Sequence, residues 1–265
     1  MECLGIKSFQ QDVVRHNEML ARYVCQSWKQ ENSGMVDVQM IHQIIQNGAL
    51  DSTSLHYKDT VGFIEAYHHL HQLSKDRDGG LLENNLICEA HKILMNHRKH
   101  MCTIGEYSSR DRLVEFEGNI HYYTSTVGKE IQRLIDEYNK RWFTINCQRV
   151  NDGVQALKDL IHLLAWLVYT FLEIHPFGDG NGRIIRLLFT YIMEAYGFPF
   201  PVPIVWYSQE EFSLKDSEEE YRTWCKILRR ARLTDDFTDL ENMFAHSLKK
   251  CSETSSTFIT IESRD

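Results

Sequence analysis

No proline occurs in the first 175 residues, and three of the chain's four prolines sit together at 199, 201 and 203. Proline breaks helices by removing an amide donor and clashing with the preceding turn, so most of this chain is open to long helices. Apolar residues recur at the matching 3.6-residue spacing. Residues 8–30 carry Val13, Val14, Leu20, Tyr23 and Val24 as a stripe, with a stop at Glu31-Asn32-Ser33-Gly34. Residues 36–47 predict a short helix, and Asp51 to Ser54 a polar connector and cap. Two more helices are predicted at 57–75, with Val61, Ile64, Tyr67 and Leu70 or His71 on one side, and at 82–98, with Leu86, Ala90, Ile93 and Leu94. The period is lost between Thr103 and Tyr123, where Val114 and Phe116 alternate with acidic residues and Gly118-Asn119 supplies a turn. That is the pattern of a short β-hairpin. Helical patterning returns at 129–143. Residues 154–174 are apolar on nearly every face, which predicts a helix in the middle of a bundle. Another apolar helix at 183–196 stops at Gly197 and Pro199. Residues 216–232 and 237–250 read as peripheral helices, and the Ser- and Thr-rich stretch 252–265 as a frayed tail. The expected fold class is mostly α, a helical bundle with one small β-hairpin.

Charge narrows the function classes. With 29 basic and 37 acidic residues the formal charge is −8. A general nucleic-acid binder needs a positive field, so no nucleic acid partner is expected, although a small, locally positive phosphate site is compatible. Seven cysteines fall at 3, 25, 88, 102, 147, 225 and 251 with no CxxC pair. An odd, scattered set argues against zinc ribbons and disulfide frameworks and suits a cytoplasmic or nuclear setting. The start, MECLGIKSFQQDVV, has no apolar core of signal-peptide length. The longest nearly uncharged apolar run, Leu160 to Leu172, falls short of the roughly 20 residues a membrane span needs, so no membrane anchor is expected. Adjacent histidines point to different helix faces, so the run His68-His69-His71 is not read as a metal site.

Chemistry concentrates in Ile174-His175-Pro176-Phe177-Gly178-Asp179-Gly180-Asn181-Gly182-Arg183-Ile184-Ile185-Arg186, between two strongly apolar helices. A helix starting near Asn181 to Arg183 presents unpaired amides that favour anions. Arg183 and Arg186, three apart, project from one helical face, and the guanidinium fork suits phosphate. Asp179 is a hard oxygen ligand of the kind a Mg²⁺–nucleotide site needs. His175 suits a general base near neutral pH. Taken singly, each feature has a plain structural explanation, a turn or a helix cap. Together they point to phosphate-ester chemistry.

The segment resembles the signature of the Fic family, His-Pro-Phe-x-Asp/Glu-Gly-Asn-Gly-Arg-x-x-Arg, and matches every specified position. The resemblance covers roughly residues 55–250 and implies a compact helical bundle with a β-hairpin flap. It divides the chain into an N-terminal helical region (1–54), a catalytic core (55–251) and a flexible tail (252–265). It implies a protein adenylyltransferase that moves AMP from ATP to a Ser, Thr or Tyr hydroxyl of a target protein. By that resemblance His175 deprotonates the hydroxyl, and Asp179 holds Mg²⁺ against the α- and β-phosphates. Gly180, Asn181 and Gly182 form the anion hole, Arg183 contacts the phosphates, Arg186 meets the γ-phosphate, and Phe177 is buried and orients the loop. A phosphate-transferring branch has a bulkier Lys-type residue within the glycines; Gly180 and Gly182 favour AMP transfer.

Many relatives carry an inhibitory helix with the pattern Ser/Thr-x-x-x-Glu-Gly/Asn. Ser27-Trp28-Lys29-Gln30-Glu31-Asn32 fits, upstream of the core. The resemblance then implies that Glu31 pairs with Arg186 and holds ATP in an unproductive pose; the same glutamate serving removal of AMP is left open. The flap, around Thr103 to Ile120, is implied to take the target segment as an added strand. The family often has Gly-x-Tyr-Arg there, whereas this chain has Gly105-Glu106-Tyr107-Ser108, which leaves flap register and target choice open. Tyr221 falls about where relatives place an aromatic near the adenine. The family resemblance also admits a homodimer. No repeat module or membrane anchor is expected beside the core. The competing readings are a silent nucleotide-binding regulatory Fic protein, a Fic enzyme with another nucleotide donor, and a non-enzymatic helical adaptor.

Overall fold

The computed structural model describes the chain except residues 1, 31–36, 49–53, 77–78, 99–102, 110, 117–118, 124–125, 207–213 and 262–265. For 2–11, 112–123, 214–220 and 255–261 only the backbone is described. The described residues form nine α-helices and one two-stranded sheet.

Helix α1 (Glu2–Gln30) leads into α2 (Val38–Asn47), whose first amides bond the Asp37 carboxylate. Ser54 caps α3 (Leu55–Leu73) through the Tyr57 amide, as its place in the polar connector suggested. A Ser or Asp in this position satisfies an amide that the helix itself leaves orphaned. The next helix, α4 (Asn84–Leu94), ends in a 3₁₀ turn, Asn96–Arg98. Strands β1 (Arg112–Phe116) and β2 (Asn119–Tyr123) pair antiparallel, with Val114 opposite His121. The strands start later than the loss of helical period at Thr103. Helices α5 (Val127–Gln148) and α6 (Gly153–Ile174) form a packed pair, and Asp152 caps α6 through the Gln155 amide.

Helix α7 (Asn181–Tyr196) is the centre of the molecule. Only Gly182, Glu194 and Ala195 escape full burial along it. It packs on α3, α4 and α6. That follows from a sequence apolar on nearly every face, which is stable only with neighbours all round. The segment before α4 is fastened to this centre. Asn139 bonds both the amide and the carbonyl of Leu82, and Tyr138 and Tyr191 bond the backbone of Gly80.

Helix α8 (Leu214–Thr234) lies against α1 and α9 (Thr238–Ile261). The expected tail is corrected here, because residues 252–261 are helical. Leu240, Phe244, Leu248 and Cys251 are buried at helical spacing, and the stripe carries α9 onward. Helix-propensity losses of Ser and Thr are only about 0.5 kcal/mol per residue and do not outweigh that packing. Among the described residues no helix is long and apolar enough to cross a membrane, and Cys25, Cys88, Cys147, Cys225 and Cys251 are free thiols.

Candidate active site

The turn between α6 and α7 collects the motif. His175 closes α6 in the left-handed region, at φ 49° and ψ 60°, with its amide donated to the Phe171 carbonyl at 2.9 Å. A non-glycine residue pays about 1 kcal/mol for that conformation, so the surroundings must impose it. Asn181 does much of this. Its Oδ1 accepts from the Phe177 amide at 2.9 Å and its Nδ2 donates to the Phe177 carbonyl at 2.8 Å. The Asn181 side chain therefore closes the loop, and an anion contact from this residue has to come from its backbone amide. Gly180 also lies in the left-handed region, at φ 81°, and a Cβ there would come within 3.1 Å of Met95 Sδ.

The first α7 bond runs from the Ile184 amide to the Gly180 carbonyl at 2.9 Å. The amides of Asn181, Gly182 and Arg183 thus precede the helical ladder, the arrangement that favours an anion at a helix start. Asp179 sits beside them. Its Oδ1 accepts from the Gly180 amide at 2.6 Å and from Arg183 Nη2 at 2.9 Å, and its Oδ2 faces Arg98 Nη1 at 3.4 Å. Arg183 and Arg186 are both buried, and the Arg186 carbonyl accepts the Tyr23 hydroxyl of α1 at 3.0 Å. Phe177 is fully buried, as expected.

His91, absent from the sequence reading, organises this loop. Its ring stacks on Phe177 with centroids 3.8 Å apart and planes 4° from parallel. Its Nδ1 accepts the Gly105 amide at 2.9 Å, so the proton sits on Nε2, which donates to the Asp179 carbonyl at 3.0 Å. The bond at Nδ1 requires the neutral ring. Burial, reinforced by the Arg183 charge and opposed by the Asp179 carbonyl, lowers its pKa to about 4. Ser108 adds a backbone bond to the Pro176 carbonyl at 2.8 Å, and Tyr107 packs its ring on Phe177. These contacts hold residues 105–108 against the motif turn, which is why the strands begin only at Arg112. The signal for His91 was a polar residue on a buried stripe: Ile87, Ala90, His91 and Leu94 are buried, while the expected Leu86 and Ile93 are only half-buried.

The remaining expected residues are spread more widely. Ser27 is buried on α1 with its hydroxyl bonded to the Tyr23 carbonyl at 2.9 Å. Glu31 and Asn32 lie outside the described residues. Tyr221 is half-buried on α8. Among the described residues no group of three or more His, Cys, Asp or Glu side chains gathers as a metal site. Asp179 alone offers a hard, partly exposed carboxylate, which suits Mg²⁺ arriving with phosphate oxygens and water. In the His68–His71 run, His71 meets Glu194 at 2.8 Å, and Tyr67 bridges Glu194 and His16. A cavity of about 300 Å³ lined by Arg149, Tyr196, Pro199 and Cys251 lies at the other end of α7, roughly 24 Å from the motif turn along the helix.

Residues 81–193 match the sequence model of the Fic/DOC family. That segment is similar in sequence to the Fic domain. A Fido domain-containing protein of Dictyostelium discoideum is 60% identical over 40 residues, 15% of this chain and 28% of that protein. The ribonucleoside-diphosphate reductase small chain of Ostreid herpesvirus 1 is 30% identical over 135 residues, 49% of this chain and 22% of that protein. The chain thus spans about a quarter of the length of these curated relatives. Among solved structures, a Fic domain containing signaling protein from Bacteroides thetaiotaomicron superposes with TM-score 0.63 at 22% identity, over 95% of this chain and 87% of that one. A segment of C. elegans Fic-1, residues 134–508 with E274G, superposes with TM-score 0.62 at 22% identity, over 94% and 65%. The Fic fold accordingly extends beyond the matched segment over nearly the whole chain.

Proposed function

We propose that this Fic protein is a protein adenylyltransferase, restrained by its own N-terminal helix. The observation that carries the reading is the motif turn itself. One left-handed loop, clamped by Asn181 and His91, brings together His175, Asp179, the start of α7 and two buried arginines. ATP lies with its phosphates over the α7 amides, Arg183 and Arg186, and its adenine towards Tyr221. His175 takes the proton of a target hydroxyl. The hydroxyl oxygen bonds to the α-phosphorus as the bond to the bridging oxygen breaks and pyrophosphate leaves. Charge developing on the α-phosphate meets the open amides of Asn181 and Gly182, the Gly180 amide being donated to Asp179 instead, so positioning and electrostatics supply the catalysis. Asp179 is the residue that holds Mg²⁺, which when bound neutralises phosphate charge. The paired strands 112–116 and 119–123 offer edges for a target segment to join.

Support for the restraint comes from α1. Its last described turns reach Arg186 through Tyr23, and Glu31 follows directly. In this reading the Glu31 carboxylate pairs with Arg186 and occupies the γ-phosphate position. The test is intact mass after incubation with ATP and Mg²⁺ for wild type, Glu31→Gly, and Glu31→Gly with His175→Ala. An AMP-sized gain in the single variant alone is expected. An equal gain in wild type removes the restraint, and no AMP gain in any form removes the adenylyltransferase.

A further inference from the structure

Asp59 on α3 is 2% exposed and belongs to no motif. Arg98, at the end of the 3₁₀ turn, grips it at two points, Nε to Oδ1 at 2.7 Å and Nη2 to Oδ2 at 2.5 Å. His97 Nε2 meets the same Oδ1 at 2.5 Å, and Arg183 Nη1 lies 3.6 Å from it. Burial opposes ionisation of Asp59, but the bonds from Arg98 and His97 outweigh it and hold the carboxyl below its ordinary range. The remaining contacts run to Asp179, from Arg183 at 2.9 Å and from Arg98 at 3.4 Å. Asp59, Arg98, Asp179 and Arg183 therefore close a ring of alternating charge.

We propose that Asp59 is a positioning residue that, by gripping Arg98, keeps Asp179 open to a divalent cation arriving with nucleotide. The inference rests on the transferase reading above. The ring holds two carboxylates and two guanidiniums, so its own charges cancel. A cation arriving alone meets a carboxylate already compensated on both oxygens. A nucleotide brings its own negative charge to the α7 start and to Arg183, and the cation then gains phosphate oxygens and a less encumbered Asp179. The looseness of the Arg98–Asp179 contact matters. Asp59 holds Arg98 back at 3.4 Å, beyond a good hydrogen bond, so Oδ2 is shielded without being sealed. Without Asp59 the two-point grip on Arg98 is lost, and its contact with Asp179 tightens at the expense of the cation.

The test counts bound Mn²⁺ by electron paramagnetic resonance on the full chain, with and without the non-transferable analogue AMPPNP, and follows nucleotide binding by calorimetry. In the Glu31→Gly background, which carries all the variants here, AMPPNP is expected to bind without metal and to tighten Mn²⁺ binding at least about tenfold, with the reciprocal effect on the nucleotide. Arg98→Gln is expected to tighten Mn²⁺ binding in the absence of nucleotide by about tenfold, and Asp59→Asn to weaken it in the presence of nucleotide by a similar factor. Should Asp59→Asn not fold, Arg98→Lys carries the same expectation, since it keeps the charge but loses the two-point grip. Mn²⁺ affinity in Glu31→Gly that is indifferent to nucleotide, or that adding Arg98→Gln leaves unchanged, overturns the inference alone. Failure of Glu31→Gly to bind any nucleotide overturns the transferase reading and the inference with it.

Discussion

His91 and Phe177 lie ring on ring, 3.8 Å apart, and the two nitrogens of His91 bond backbone on either side of the site. One buried imidazole thus holds the motif turn to the residues that lead into the hairpin. His91→Ala removes the stack and both bonds, and the expected loss is about 2–4 kcal/mol by urea unfolding. At a temperature where the variant stays folded, AMP transfer in the Glu31→Gly background is expected to fall about tenfold or more, because the Asp179 peptide is no longer held. Wild-type transfer in that variant would reduce His91 to a packing residue.

His91 and His16 are both held at about 4 in the folded chain against an ordinary 6.5, in each case chiefly by burial, with His71 adding to the effect on His16. Between those values the unfolded chain binds protons that the folded chain does not, so stability rises with pH across that interval and levels off above it. For His91 alone the span corresponds to about 3 kcal/mol. Unfolding free energy measured against pH should show the rise. His16→Gln, on α1 and away from the motif turn, should make it shallower; a slope identical to wild type would place the protons elsewhere.

Gly180→Ala tests the turn directly. The position is left-handed and a Cβ would press on Met95. The expected cost is about 1–2 kcal/mol in stability, with a larger proportional loss in AMPPNP affinity because the α7 amides shift. Calorimetry showing unchanged affinity would remove those amides from the nucleotide site.

Tyr23→Phe probes the seat of α1. It deletes one hydroxyl that donates to the Arg186 carbonyl, at a cost of about 1 kcal/mol. Automodification measured by intact mass is expected to rise above wild type but stay below Glu31→Gly. No rise at all, with α1 still docked, would mean that this bond does not carry the restraint.

Local pattern accounts for what was legible. The helices follow from a proline-free stretch with a 3.6-residue apolar period, and the motif turn was readable because its residues are contiguous. Where a segment's neighbours decide its conformation, reading by pattern falls short. Residues 105–108 fall inside the expected flap, yet Gly105 and Ser108 give their amides to His91 and Pro176 instead of a partner strand. The Ser- and Thr-rich run from Ser252 reads as a tail, yet it continues a helix anchored by the buried Leu240, Phe244, Leu248 and Cys251.

By itself the sequence determined the helical class, the order of elements and the thirteen-residue segment where the chemistry gathers, because helical periodicity and loop motifs are written in neighbouring residues. Tertiary structure alone decided that Asp59 holds Arg98, 39 residues away, and that His91 reaches the Asp179 carbonyl 88 residues on. A charged or polar residue on an apolar helix face announces that it is buried, since burial has a period. Its partner depends on which helices pack together and in what register. That choice is settled by the whole core, where an unpaired buried charge is too costly to leave.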